Sequence, residues 1–229
     1  MPLHHEQGRW PPEVEFGLKL SSGHVHRAGG SAADFHAREF PDVAAVWQFD
    51  VEHPAIVLGS RQTDDVLDLI ACRRREVEIV HRRSGGGVVL LVPGATEWVD
   101  VIVPATDPGW DDDVRRSMVR IGERWVDALR DVVDGELTVH RGPMVRTPWS
   151  ELVCFAGIAP GEVLLDGVKL VGLSQRRTRR GARFQCAVNR HFDDELLIEL
   201  LAAPVAAPLP PVATLPAAAT DIAARFLAT

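Results

Sequence analysis

Three consecutive glycines, Gly85, Gly86 and Gly87, follow the run Arg82-Arg83-Ser84 in the middle of the chain. A strand-like segment enters this run and an apolar segment leaves it. Glycines remove every side chain from a turn, so backbone N–H groups can approach a ligand closely, and arginines suit a phosphate or carboxylate. The residues predict an anion-binding loop or, equally, a plain glycine hairpin with solvated arginines. The loop lacks the Gly-Lys-Ser/Thr of a Walker A motif.

The cysteine content and the lengths of the apolar runs indicate the cellular compartment of the protein. Three cysteines, Cys72, Cys154 and Cys186, are too few for a disulfide framework and lack zinc-ligand spacing. No apolar run reaches the length of a membrane span, and residues 1–6 lack the basic and apolar regions of a signal peptide. We therefore expect a cytoplasmic protein with reduced thiols and no membrane partner.

Charge is unevenly distributed along the 229 residues, whose formal net charge is −7. This balance disfavours nucleic acid as a partner. The segment from Val168 to Arg190 nevertheless contains no Asp or Glu. Its basic residues are Lys169, Arg176, Arg177, Arg179, Arg180, Arg183 and Arg190. Two interpretations stay open, a solvated arginine-rich loop and a site for an anionic ligand or an acidic partner.

Short strands alternate with helices along the chain. The patterns predict strands at 43–51, 55–59, 77–81, 88–92, 97–103, 137–140, 152–155, 162–166, 169–173 and 183–188. They predict helices at 31–40, 63–75, 111–131, 193–202 and 217–227, with Ser31 and Thr63 as N-caps of the first two. Asp166-Gly167 is the strongest hairpin signal. We expect an α+β fold in which helices pack on mixed, largely antiparallel sheets.

Three motifs, in order, resemble the catalytic domain of lipoate–protein ligases and octanoyltransferases. Residues 81–91, His-Arg-Arg-Ser-Gly-Gly-Gly-Val-Val-Leu-Leu, are similar to the family's Arg-Arg-x-Ser/Thr-Gly-Gly-Gly-x-Val-x-His. Residues 56–62 are similar to a strand that ends in Gly-Arg-x-Gln. Residues 166–177 are similar to the stretch Gly-x-Lys-x-x-Gly-Ser-Ala-Gln. The resemblance covers roughly residues 40–202.

The resemblance implies the fold of biotin and lipoate ligases, which is related to class II aminoacyl-tRNA synthetases. It implies a catalytic domain over residues 1–203, followed by a Pro/Ala-rich tether and a helix over 204–229. It also implies that an eight-carbon acyl group, lipoyl or octanoyl, is attached through acyl-AMP to a lysine of a carrier domain. ATP and Mg²⁺ would be the cofactors, and the localisation would be cytoplasmic.

Site roles follow from the matched positions. Lys169 is the predicted catalytic residue, because a cation must hold the acyl carbonyl or phosphate while charge develops. Asp166 is a metal-ligand candidate, although an Asp before Gly is more commonly a turn residue. The predicted substrate- and adenylate-binding residues are Gly59, Arg61, Gln62, Arg82, Arg83, Ser84, Gly85, Gly86, Gly87, Gly172 and Ser174. An apolar tunnel for the acyl chain should lie beside them, since each buried methylene contributes about 0.8 kcal/mol.

Two further interpretations stay open. Cys154 lies where some octanoyltransferases of this family carry a nucleophilic cysteine, which would form an acyl-enzyme without ATP. A buried structural cysteine is the ordinary alternative. His81, Leu91 and Cys186 depart from residues usual in the family, so a non-catalytic binding module on the same scaffold is the third possibility.

The implied partners are carrier proteins. Acidic lipoyl domains and the H-type protein of glycine cleavage would accept the acyl group, and acyl carrier protein is the donor candidate for the transferase alternative. The sequence does not choose between lipoyl and octanoyl chains, which differ little in buried area.

Overall fold

Two β-sheets form the framework of the protein, in a computed structural model that describes residues 24–39, 42–203 and 206–229. The larger sheet has seven strands in the order β1-β2-β6-β10-β9-β8-β7, and the smaller has the order β4-β3-β5. The strands are β1 His26–Gly30, β2 Ala45–Val51, β3 Ala55–Leu58, β4 Glu78–His81, β5 Val89–Leu91, β6 Thr96–Pro104, β7 Leu137–Val139, β8 Val163–Leu165, β9 Val168–Thr178 and β10 Gly181–Asn189.

Five α-helices accompany these strands in the described ranges. They are α1 Ala32–Ala37, α2 Leu69–Arg74, α3 Val114–Leu129, α4 Asp194–Glu199 and α5 Ile222–Ala228. Most strand pairs are antiparallel, but β1 pairs with β2 and β3 with β4 in parallel. The predicted α+β class with mixed sheets and packed helices is confirmed.

Strand β6 of the large sheet is buried on both of its faces along most of its length. Alternate residues of a strand point to opposite faces, so each face of β6 has its own core. On one face Val101 packs with Trp125 of α3 and Phe226 of α5, whose rings are 4.8 Å apart. On the other face Trp98 packs with Val57 of the small sheet. The space between the two sheets is therefore the place where a ligand cavity can form.

Helix α3 begins where the acidic run predicts. The Asp113 carboxylate caps it by accepting a hydrogen bond from the N–H of Arg116 at 2.8 Å. Ile121, Trp125 and Leu129 form its fully buried stripe, but Val114, predicted on that stripe, is 54% exposed. Val114 is the first helical residue, and the helix reaches the core only from its second turn.

Two local predictions are corrected. Thr63 makes no side-chain cap bond; a 3₁₀ turn at Asp64–Val66 intervenes, and Asp68 caps the shorter helix α2 through the N–H groups of Ile70 and Ala71. The strand predicted at 152–155 is a turn followed by the 3₁₀ segment Cys154–Ala156. Ser31 does cap α1, as predicted, although that helix ends at Ala37 and Phe40 lies outside the described residues.

The C-terminal segment is packed against the rest of the chain. The N–H of Ala213 donates to the carbonyl of Lys169 at 2.9 Å, and that of Leu215 donates to Asn189 at 2.8 Å. Leu215 and the apolar face of α5 belong to the core of the large sheet. The predicted final helix is present but begins at Ile222 rather than at 217, and residues 204–205 at the start of the predicted tether lie outside the described residues.

No helix in the described ranges has the length and apolar character needed to cross a membrane.

Candidate functional site

The glycine loop connects β4 to β5 and is organised by Arg82. This side chain is 5% exposed and lies beneath the loop. Its Nη2 donates to the carbonyls of Gly85 at 2.9 Å and Gly87 at 2.8 Å, and its Nη1 donates to that of Val57 at 3.2 Å. Arg82 therefore shapes the loop from inside, and a direct contact with a ligand stays a prediction.

The loop glycines have different roles. A Cβ on Gly87 would lie 2.6 Å from the carbonyl oxygen of Leu152, so Gly87 permits close packing of two backbones. Gly86 has φ +102°, which side chains rarely adopt. Gly85 is exposed, and a Cβ there would meet nothing within 4 Å. Gly85 is thus the position in the loop that faces open space.

The end of β3 is tied to the same region through Gln62. Its Oε1 accepts from the N–H of Gly59 at 3.0 Å, and its Nε2 donates to the carbonyl of Leu152 at 3.0 Å. Ser84 makes the corresponding link to the large sheet, because its hydroxyl lies 3.1 Å from that of Ser174 and donates to Gln185 at 3.0 Å. The three motifs predicted from the sequence are therefore brought together in space.

Lys169 lies at the centre of this region and is only 3% exposed. Its ammonium forms an ion pair with Glu162 at 2.7 Å and donates to the carbonyls of Cys154 at 2.8 Å and Gly157 at 3.0 Å. The Phe155 ring lies below it, with Nζ 4.9 Å from the ring centroid. Gly172 leaves room for this ring, since a Cβ there would lie 2.9 Å from it.

Two cavities meet beside Lys169. The first lies between the sheets and has largely apolar walls that include Val57, Leu91 and Trp98. The second has walls of mixed character and is called the polar cavity here because Lys169, Arg61, Arg146, Gln62 and the three glycines line it. Cys154, Leu173 and Ser174 line both cavities. The arrangement suits a ligand with an apolar tail and an anionic head.

The Cys154 thiol stands at this junction. Cys154 is half-buried, whereas Cys72 and Cys186 are buried. Its Sγ lies 3.4 Å from the position a Cβ would take on Gly86. The thiol therefore lies beside the glycine loop, and Cys154 lines both cavities.

The three departures from the motif have distinct surroundings. His81 lines neither cavity and pairs with Asp64 at 2.8 Å. Leu91 and Cys186 line the apolar cavity. Burial raises the pKa of the Cys186 thiol, which is 1% exposed. The last two substitutions thus make the wall of the apolar cavity less polar than histidines would.

Arg83 lies apart from the rest of the glycine loop. It lines a separate pocket, called the basic pocket here, in which the charged residues are Arg38, Arg83, Arg176, Arg180 and Arg183 against Glu39 and Asp42. Arg176 and Arg183 are direct cross-strand partners on β9 and β10. Arg177 is on the opposite face, with its guanidinium 4.2 Å from the centre of the Trp110 ring. The arginine-rich segment is thus divided between two faces of the sheet.

Asp166 is not among the residues that line either cavity. It lies in the β8–β9 turn with φ 50°, followed by Gly167 with φ 79°, as the hairpin signal predicts. Its carboxylate accepts a hydrogen bond from the N–H of Glu136 at 2.8 Å. The described part of the chain contains no group of three or more His, Cys, Asp or Glu side chains able to hold a metal. The structure thus places Asp166 in the turn, and a role as a metal ligand stays a prediction.

Sequence reasoning missed two titratable groups at the site. Burial, with smaller contributions from Arg183 and Arg82, lowers the pKa of His36 to about 3. His36 lines the apolar cavity, and its Nδ1 accepts from Gln185 Nε2 at 3.2 Å as a neutral ring can. Glu162 immediately precedes β8, and the Asp166-Gly167 hairpin, which pairs Leu164 of β8 with Lys169, is the sequence signal that brings this carboxylate near the lysine.

Comparisons with known proteins agree with this architecture. The model of the protein family described as "Lipoyl protein ligase A/B catalytic domain" matches residues 32–223. Protein Ta0514 of T. acidophilum, solved with bound lipoic acid, superposes with a TM-score of 0.62 at 16% identity, covering 85% of this chain and 74% of that one. A lipoate-protein ligase A bound with ATP gives 0.60 at 16% identity, covering 89% and 81%.

A third structure includes a carrier. A bipartite lipoate protein ligase with its E2 lipoyl domain, from Thermoplasma acidophilum, gives a TM-score of 0.53 at 17% identity and covers 79% of this chain and 68% of that one. No match was found among curated protein sequences. At these identities the structural likeness shows the fold.

Proposed function

Because the chain belongs to the lipoyl protein ligase A/B catalytic domain family, we propose that it attaches an eight-carbon acyl group, lipoyl or octanoyl, to a lysine of a lipoyl carrier domain. The observation that carries the proposal is the junction of an apolar and a polar cavity beside Lys169. An acyl tail in the first cavity would place its carboxyl group next to the lysine, the Cys154 thiol and the glycine loop.

The polar cavity suits a nucleotide. Two exposed arginines, Arg61 and Arg146, point into it, and the open side of Gly85 leaves room for close approach to the loop. Arginine guanidinium groups are suited to phosphate oxygens. When bound, ATP would supply the adenylyl group: the acyl carboxylate would displace pyrophosphate from the α-phosphate and so become the reactive acyl-AMP, with Mg²⁺ held mainly by the phosphates.

The residues of the chain have separate tasks in this proposal. The apolar walls bind the tail and exclude water, which protects the activated carbonyl from hydrolysis. The Lys169 ammonium stabilises negative charge on the reacting oxygen, as oxyanion donors do. The carrier lysine then attacks the carbonyl carbon, AMP leaves, and the amine loses a proton as the amide forms.

Lipoate-dependent exchange of pyrophosphate into ATP tests the adenylating reaction directly. We expect exchange with the parent protein that depends on lipoate or octanoate. The Lys169→Met variant should show none, because it removes the cation at the junction. A folded parent protein that binds lipoate without any exchange would refute the acyl-adenylate route.

The position of Cys154 favours one second candidate, an ATP-independent transferase. In this reaction the thiolate attacks a thioester carbonyl, expels the donor thiol of acyl carrier protein and holds the acyl group until the carrier lysine takes it. Mass spectrometry after incubation with octanoyl-acyl carrier protein distinguishes the two. An octanoyl thioester on Cys154 that is absent in Cys154→Ser, with no pyrophosphate exchange, would establish the transferase; exchange that survives in Cys154→Ser would establish the ligase.

A non-catalytic binding module is the remaining alternative. It predicts lipoate binding without exchange, thioester formation or transfer to any lipoyl domain. The same two assays therefore separate all three possibilities.

A further inference from the structure

The buried pair of Glu162 and Lys169 contains a carboxylate that substrate binding alone does not explain. Both side chains are 2% exposed, and the Glu162 Oε1 to Lys169 Nζ distance is 2.7 Å. We propose that Glu162 is a positioning residue: it keeps the Lys169 ammonium charged and aims it at the 154–157 turn, where the acyl carbonyl is activated. The catalytic part of this inference rests on the function proposed above.

Glu162 is fixed from several sides. Its Oε2 accepts a hydrogen bond from the N–H of Ala159 at 2.7 Å, and its Oε1 accepts one from Leu173 at 3.3 Å. Burial raises the pKa of this carboxyl group, while the ammonium of Lys169 and the two N–H donors oppose that rise. The carboxylate therefore cannot turn away from Lys169 without losing bonds that nothing else around it replaces.

The three hydrogen-bond acceptors of the Lys169 ammonium differ in the free energy needed to break the bond to each of them. An ammonium has three N–H donors, and here they face Glu162 and the carbonyls of Cys154 and Gly157. Moving away from Glu162 would leave an uncompensated buried charge, whereas a carbonyl bond can be exchanged for one to a ligand oxygen. Glu162 therefore acts as the fixed anchor, and the two carbonyls mark the directions in which a substrate oxygen can replace them.

A purely structural ion pair is the competing explanation. Buried ion pairs often add little stability compared with apolar residues of similar volume, so stability alone is a weak reason for this pair. Lys169 also lines the polar cavity together with Glu162, which places the pair at the site itself. The other charged and titratable groups on the walls of that cavity are Arg61, Arg146, Glu151 and the Cys154 thiol.

The composition of the chain makes a direct test possible. The sequence contains two lysines, Lys19 and Lys169, beside 23 arginines. A protein labelled with ¹³C-lysine therefore gives two side-chain ε-CH₂ signals, and a Lys19→Arg variant assigns them. The pH at which the Lys169 signal moves reports the protonation of its amine without any enzyme assay.

Three variants at two positions carry the experiment. In Glu162→Gln we expect the titration midpoint of Lys169 to fall by about one pH unit or more, because a buried amine loses its counter-charge. We also expect kcat for acyl transfer to fall about 100-fold with little change in KM for lipoate, because the group acts on the transition state. Glu162→Asp keeps the charge at a shorter reach, so it should retain the parental titration and recover part of the rate. Asp100→Asn, which removes the buried partner of Arg183, should lower the melting temperature without moving the Lys169 signal.

The outcomes separate the parts of the inference. An unchanged Lys169 titration in a folded Glu162→Gln protein would show that Glu162 does not hold the charge. A shifted titration with parental kcat would overturn the positioning role. Should Glu162→Gln fail to fold, parental kcat in Glu162→Asp would also overturn it. A parent protein that transfers no acyl group refutes the proposed function, and the titration still decides whether Glu162 holds the lysine charged.

Discussion

Gly59 and Gly86 touch through their backbones, so closely that a Cβ on Gly59 would lie 1.8 Å from the carbonyl oxygen of Gly86. The end of β3 and the glycine loop are consequently a single rigid unit. Gly86 in turn would bring a Cβ 2.8 Å from the Arg82 guanidinium that holds the loop. These two glycines are required by packing, and they are poor positions at which to test ligand binding.

Gly85 is the informative position in the loop. Because a Cβ there meets nothing within 4 Å, Gly85→Val should fold with nearly parental stability while its side chain projects into the space a ligand would use. We expect calorimetric titration to show weaker binding of a non-hydrolysable lipoyl-adenylate analogue. Gly59→Ala serves as the matched control and should lose about 1–3 kcal/mol of unfolding free energy in urea because it is overpacked. Parental affinity in Gly85→Val would mean that this side of the loop does not meet the ligand.

His36 should make the free energy of unfolding decrease at acidic pH. Its pKa is about 3 in the folded chain, mainly because it is buried, against an ordinary value near 6.5. Between these values the unfolded chain binds a proton that the folded chain does not, so stability falls as pH drops from about 6.5 toward 3 and is constant above this range. The limiting slope for one such group is about 1.4 kcal/mol per pH unit.

The measurement is urea unfolding of the parent and of His36→Leu at a series of pH values. We expect the variant to lose this part of the slope while it keeps the apolar packing against Trp98, whose ring centroid is 4.7 Å from that of His36. Equal slopes in the two proteins between pH 4 and 6.5 would show that another group causes the acid sensitivity.

Loss of Lys169 should cost stability as well as activity. Lys169→Met leaves the Glu162 carboxylate buried and unpaired, which typically costs about 3–5 kcal/mol. The double variant Lys169→Met with Glu162→Gln removes both charges and should recover part of that loss, though no activity. Urea unfolding of the parent, Lys169→Met, Glu162→Gln and the double variant gives the coupling energy between the two side chains. Strictly additive losses would indicate that the two groups do not interact in the folded protein.

Local structures that depend only on residues adjacent in the chain could be predicted from the sequence. The glycine loop, the Asp166-Gly167 turn and the Ser31 cap each depend on residues adjacent in the chain, and each was predicted correctly as a local structure. The burial of Lys169 was not predictable in the same way, because an isolated strand lysine is normally exposed and only the partner strand supplies Glu162. The separation of Arg83 from Arg82 likewise depends on which sheet each side chain meets.

The turn at Cys154 shows a further limit. Leu152 to Phe155 has the pattern of an apolar strand, yet it forms a turn in which Val153 and Phe155 are buried and Leu152 and Cys154 are half-buried. The N–H of Cys154 donates to the carbonyl of Val88 at 3.0 Å, and its own carbonyl accepts from Lys169. An apolar run in the sequence indicates that a segment is buried. Whether this segment forms a strand or a turn is determined by its hydrogen bonds to residues distant in the sequence.

The basic pocket is where we expect an acidic lipoyl domain to dock. Arg176 and Arg183 face each other across neighbouring strands, and like charges in that arrangement are unfavourable unless an anion compensates them. Asp100 pairs with Arg183, but Arg176 makes no ion pair with the described residues. Burial and the charges of Arg83 and Arg183 lower the pKa of Arg176, and Glu39 opposes this only in part, consistent with an excess of positive charge at this surface.

Charge reversal tests this docking surface, which extends the proposed function to its acceptor. The double variant Arg176→Glu with Arg180→Glu should raise KM for an acidic lipoyl domain by about tenfold and flatten its salt dependence, because steering over a Debye length of about 8 Å is lost. Acyl activation, measured as pyrophosphate exchange, should stay at the parental rate, since neither residue lines the two cavities at Lys169.

Arg130→Glu provides the control for charge alone. Arg130 follows α3, its side chain is 68% exposed, and its partner Asp127 belongs to the same helix. This variant should leave KM for the lipoyl domain within about twofold of the parent, because exposed charges far from an interface are screened by salt. A loss of pyrophosphate exchange in the Arg176 and Arg180 variant would instead mean that these arginines bind nucleotide phosphates, and the acceptor would then have to dock on another face of the molecule.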